Sequence, residues 1–260
     1  MATVNMPDSP AYHAMTLPPR RKLADDAALA WLRAGFLYFG RARGVSLAYG
    51  AIFAAIGMLI TWLGFNRPQF VLTFWTGFLL VGPLFAMGLY RIAQLQDRGE
   101  TIRFSACMGA LRKRLGSVAL FSLLLSLVMI AWIRFSTLAA ALYVGNVAGV
   151  SGFIAALGSP EGIGFLAVLF GVGAVFAALM FALTAWSLPL VLDARVDFGT
   201  AIVTSVKATI EQPLPMLAWG SLVAALTIIG MLTFFLAFVV IFPWLGYATW
   251  AAYKDLFARD

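Results

Sequence analysis

The sequence predicts an all-α polytopic membrane bundle of six transmembrane helices, on three observations. Of its residues 62% are hydrophobic and 11% charged, with a mean hydropathy of +0.93, whereas a soluble domain carries about 25% charged residues. Apolar runs near the ~20 residues needed to cross a bilayer recur along the chain. The eighteen Lys and Arg residues fall almost entirely in the connections between those runs. A net charge of +7 would suit nucleic acid if the cations formed one patch, but cations placed in loops set membrane orientation instead.

Residues 1–24 are Pro-rich and without sustained periodicity, so a disordered tail is expected, distinct from an integral membrane domain over 25–257. Basic residues there do not precede an apolar core and cleavage site, so the tail does not read as a secretory signal. From Asp25 to Gly44, acidic residues open and Arg41 and Arg43 close a helical pattern. Its apolar positions Ala28, Trp31, Leu32, Gly35, Phe36 and Phe39 share one face, which predicts an interfacial helix. Crossings follow at Val45–Gly64, Phe70–Leu89, Leu115–Ile133 and Ile163–Leu192, the last long enough to tilt or extend past the bilayer.

The 38 residues from Met216 to Tyr253 carry no charge. As one helix they would reach about 57 Å, nearly twice the ~30 Å hydrocarbon core. Two crossings joined by a tight turn between Gly230 and Ala237 are therefore expected. The charges agree with six: sixteen cations fall on one side and only Arg67 and Arg134 on the other. Such a division puts both termini in the cytoplasm of a bacterial inner membrane.

Pro83, Pro189 and Pro243 lie in the second, fourth and sixth crossings, each shortly before a charged exit at Arg91, Asp193 or Lys254. Short amphipathic stretches at 25–44, 101–114 and 198–212 precede the odd crossings. Three units of interfacial helix plus transmembrane hairpin result, with the second arm kinked at proline. Tyr90, Arg91, Asp193, Arg195, Trp250, Tyr253 and Lys254 read as anchors at the membrane surface, and Trp31, Trp62, Trp219 and Trp244 join them in an aromatic belt. Residues 138–162 are too apolar for a solvated loop and suggest a short interfacial or re-entrant helix.

Chemistry is sparse. No acidic or basic residue falls in the middle of a predicted crossing, where proton- or ion-coupled transport usually keeps one. His13 and Cys107 are each the sole residue of their type, too few for a zinc cluster or for paired haem ligation. There is no phosphate-cradling glycine loop and no nucleophile elbow. No catalytic, cofactor or metal site is expected, and the intramembrane hydroxyls read as helix-bonded.

The runs GPLFAMGLYRIAQLQDRGE and SLPLVLDARVDFGTAIVTSVKATIEQPLPMLAWGSLVAAL, with the ending FPWLGYATWAAYKDLF, together resemble a bacterial integral-membrane family, domain of unknown function 2189. The resemblance extends over about residues 25–257 and implies a multi-span inner-membrane protein of a Gram-negative bacterium with no established activity. In that family a histidine often follows the glycine of the final motif; here Tyr247 follows Gly246.

The expected function is a non-enzymatic accessory, assembly or membrane-organising protein. Its expected partners are membrane lipids, anionic lipid at the basic face among them, or another membrane protein. The alternative is a transporter or channel for a neutral or lipophilic solute.

Overall fold

The computed structural model describes residues 20–65, 68–80, 82–102, 115–145, 149–193 and 196–257, whose regular structure is entirely α-helical. Helix α1 (Ala27–Arg41) breaks at Ala42 and gives way to α2 (Arg43–Leu63), the first crossing. The second is α3 (Pro68–Leu80) continued by α4 (Gly82–Asp97). Then come α5 (Leu115–Tyr143) and the short α6 (Gly149–Leu157). Next, α7 (Pro160–Thr184) leads into α8 (Ser187–Asp193). The chain closes with α9 (Phe198–Glu211), α10 (Pro213–Leu232) and α11 (Phe238–Leu256).

Among the described residues five stretches are long and apolar enough to cross a bilayer: Arg43–Leu63, Thr73–Asp97, Gly116–Tyr143, Pro160–Asp193 and Pro213–Leu232. The sixth expected crossing, α11, falls outside that measure, because its second half carries Trp244, Tyr247, Trp250, Tyr253, Lys254 and Asp255. It is the buried axis of the fold, packed by α1, α2 and α4.

Two crossings outrun their predicted ends. The second continues eight residues past Leu89 to Asp97, and the third ten past Ile133 to Tyr143, with Arg134 exposed on its flank. A single charge near a helix end does not stop the helix, since a long side chain reaches the interface while its backbone stays paired. Of the expected outer connection, residues 138–143 belong to α5 and residues 149–157 form the nine-residue α6, which packs on α7 and α3. The interfacial helix expected at 101–114 lies, but for residues 101–102, outside the described residues, as do His13, Cys107 and Arg195.

Local chemistry sets the breaks. Ser159 caps α7 by accepting the Gly162 amide at 3.1 Å, followed by Pro160 and Glu161 in the first turn, the residue types that a helix N-terminus favours. Between α10 and α11 the turn falls inside the expected 230–237 window: Phe234 and Phe235 take the left-handed conformation, at φ 50° and 70°. That conformation is costly for bulky residues; burial offsets the cost at Phe235, while Phe234 stays exposed. Phe235 is fully buried against Trp75, Phe78 and Phe238, while the Thr233 hydroxyl accepts the Ala237 amide at 3.1 Å.

The three second arms meet, with α4, α8 and α11 in mutual contact. The two leading helices described each dock on the second arm of the preceding hairpin: α9 on α7 and α8, and α1 on α11. Since α11 is last in the chain, the docking of α1 closes the ring.

Candidate functional site

The most elaborate polar cluster lies where the three second arms end. Pro83 is the second residue of α4 and Pro189 the third of α8, so both sit at the start of a new helical segment, whereas Pro243 lies inside α11. Proline lacks the amide that a continuing helix needs and crowds the turn before it. At the α7–α8 break the lost pairing is replaced from α9: the Ser205 hydroxyl donates to the Ala182 carbonyl at 2.7 Å and accepts the Trp186 amide at 3.2 Å. Ser187 adds bonds to the Leu183 and Ala201 carbonyls.

Beyond these segments, three carboxylates are each held by donors from other helices. Asp97, the last residue of α4, accepts from the Tyr38 hydroxyl of α1 and from Trp250 Nε1 of α11 at 2.9 Å, and pairs with Lys254 Nζ at 2.9 Å. Asp193, the last of α8, accepts Gln94 Nε2 at 2.7 Å and the Tyr253 hydroxyl at 3.1 Å, with Arg98 at 3.9 Å. Arg91 donates in turn to the Gln94 side-chain oxygen. Asp255 accepts the Trp31 indole at 2.9 Å. The helices α1, α4, α8 and α11 are thus cross-linked by charge-assisted bonds, the stronger class of hydrogen bond.

Burial, and next the Asp97 carboxylate it donates to, raise the Tyr38 hydroxyl well above its ordinary value, with Arg41 acting weakly against them. Tyr38 therefore serves as a neutral donor. At the start of α9, Asp197 accepts the Thr200 hydroxyl and amide, which hold its carboxyl below the usual range.

Of the residues expected as surface anchors, Arg91, Asp193 and Tyr253 join the cluster around Asp193, Trp250 and Lys254 join the one around Asp97, and Tyr90 is buried at 3% exposure. Of the tryptophans expected in an interfacial aromatic belt, Trp250, Trp31 and Trp219 are packed inside the protein, each at most 2% exposed. Trp31 and Trp250 aim their indole N–H groups at carboxylates inside the protein, and Trp31 packs edge-on against Trp186 and Trp219. Trp62 is the exposed one, at 73%.

Asp97, Gln94 and Tyr38 were missed in the sequence. For Asp97 and Gln94 the signal was the period of α4 itself, which carries Tyr90, Gln94 and Asp97 along one face at spacings of four and three.

Tyr247, where the resemblance would lead one to expect histidine, is fully buried and bonded to the Ser46 hydroxyl at 2.8 Å. Ser46 spends its proton on the Ala42 carbonyl at 2.7 Å, so Tyr247 is the donor. The pair fastens the α1–α2 break to α11. Among the described residues no group of three His, Cys, Asp or Glu is placed to hold a metal ion.

Comparison with curated proteins finds no match, and neither does comparison with solved structures. Of the three runs that carry the resemblance, the match includes GPLFAMGLYRIAQLQDRGE, with Pro83, Arg91 and Asp97, and the first seven residues of the run from Ser187, with Pro189 and Asp193; the rest of that run and the final motif lie outside it. In this integral membrane protein, residues 70–193 match the family model described as a predicted integral membrane protein, DUF2189.

Proposed function

We propose that the protein is a non-enzymatic component of a bacterial inner membrane, an accessory or assembly factor that presents a rigid, basic end to the cytoplasm. The observation that carries this reading is the fate of the carboxylates. Asp97, Asp193 and Asp255 are each bonded to Trp, Tyr, Gln or Lys side chains from other helices, which suits a frame more than a reaction centre. Charges that brace a frame have little freedom to shuttle protons or coordinate substrate.

The surroundings support the orientation. Arg91, Arg98 and Lys254 stand at this end, and Arg33, Arg41 and Arg43 belong to the helices next to it, the bias that marks cytoplasmic ends. A transporter would need the second arms to part. Met87, Leu89, Tyr247 and Ala248 on α4 and α11 are wholly buried, and Leu89 lies against Gly246, so packing favours the frame.

Native mass spectrometry of protein extracted in a mild amphiphile is the test. A stoichiometric protein partner is the expected result. A bound small metabolite without protein, whose stabilisation disappears in Pro83→Ala or Pro189→Ala, would replace this reading with transport.

A further inference from the structure

Outside the carboxylate network, a cleft of about 650 Å³ opens between the segment before α1 and the α9–α10 junction. Its geometry points to a binding site for the phosphate headgroup of an anionic glycerophospholipid.

The cleft is built by bonds between distant parts of the chain. Arg20 pairs with Glu211 through two bonds of 2.9 Å. Gln212 accepts the Leu23 amide at 2.7 Å and donates to the Arg21 carbonyl at 2.9 Å, while the Arg21 amide donates to the Leu256 carbonyl at 2.9 Å. The backbone of Arg21 and Lys22 is therefore fixed while their exposed side chains line the cleft with no hydrogen bond or ion pair among the described residues. The Nη1 atom of Arg20 is also buried there without a partner among those residues.

Two carboxylates share the lining, and Glu211 is neutralised by Arg20. Arg21 and Lys22 then face Asp25 alone, an excess of one positive charge that favours an anion, and the unpartnered Arg20 Nη1 adds a donor without adding charge. Forked guanidinium donors suit phosphate oxygens.

A lipid is favoured over a soluble phosphate by what adjoins the cleft. Ile210 at the end of α9, and Leu214 and Leu217 at the start of the fifth crossing, expose 65–70% of their surface. A headgroup held at Arg21 and Lys22 would lay its acyl chains along that apolar surface. The inference rests on placing this end at the membrane surface, though not on the accessory role.

The test uses the full chain in detergent micelles, read by native mass spectrometry against phosphatidylglycerol, phosphatidylcholine and glycerol phosphate. Phosphatidylglycerol is expected to be retained at least about tenfold better than the others, each cation near a membrane surface being worth roughly a factor of five. The double variant Arg21→Gln, Lys22→Gln should lower that retention by about tenfold at an unchanged thermal midpoint. Arg33→Gln, Lys207→Gln removes the same charge elsewhere and should leave retention intact. Equal loss in both double variants would replace the site with a diffuse field, equal retention of phosphatidylcholine would remove the charge selectivity, and equal retention of glycerol phosphate would make the ligand soluble.

Discussion

Asp97 accepts from three side chains of two other helices, and a neutral replacement affects them unequally. In Asp97→Ala the buried Trp250 indole and the Tyr38 hydroxyl lose their acceptor together, with an expected loss of about 2–3 kcal/mol. Asp97→Asn keeps an acceptor oxygen and should lose less, the difference read as thermal unfolding midpoints of the detergent-solubilised protein. Ser205 is a different kind of residue: its hydroxyl stands in for a missing turn of helix. In Ser205→Ala a buried amide and carbonyl at the α7–α8 break are left without it, an expected loss of about 1–3 kcal/mol. Rapid amide exchange confined to residues around Trp186 would locate the damage.

At the scale of elements, caps and turns decide where helices begin. Asp197 caps α9 from an exposed position, and Asp197→Ala is expected to destabilise by about 1 kcal/mol. The pH dependence has a definite sign. Its carboxyl is held below the usual range in the folded protein, so the cap contributes fully above the ordinary carboxylate pKa of about 3.9 and fades as pH falls through and below it. Asp197→Asn should flatten that acid limb of a stability-against-pH profile while leaving stability near neutral pH almost unchanged.

The helices themselves were legible from the run of apolar residues, and so was the turn at Phe234 and Phe235, because 38 uncharged residues cannot lie in one crossing. What hydropathy could not show is which apolar side chains face lipid and which face protein. Both environments select the same residue types, so Trp31, Trp219 and Trp250 read as interfacial although they pack inside. Asp97 and Gln94 were lost for a related reason, since average hydropathy falls at Leu89 while the helix continues.

Over the whole molecule, helix crossings depend on small residues where backbones touch. A Cβ at Gly50 would lie 2.0 Å from the Val239 carbonyl oxygen, and one at Gly35 would lie 2.6 Å from the Ala248 amide nitrogen. Both are places where the chain's first two helices press on its last. Gly50→Val is therefore expected to separate α2 from α11, lowering the yield of monodisperse protein in size-exclusion chromatography, while Gly40→Ala, with open space around it, should behave as the parent. The same closeness gives the architecture its order of dependence: α11 supports α1, α2 and α4, and none of the three has another partner that buries it as fully.

The bond between Trp31 and Asp255 joins residues 224 positions apart. A ribosome adding roughly 5–20 residues per second takes on the order of 10–45 s to span that interval. Throughout it, the opening helix must wait beside the insertion machinery with its tryptophan unpaired, exposed to whatever chaperones and proteases patrol there. Nascent chains arrested just before Phe238 should accordingly be degraded faster than chains arrested after Phe257, making the last helix the step that commits each newly made molecule to survival.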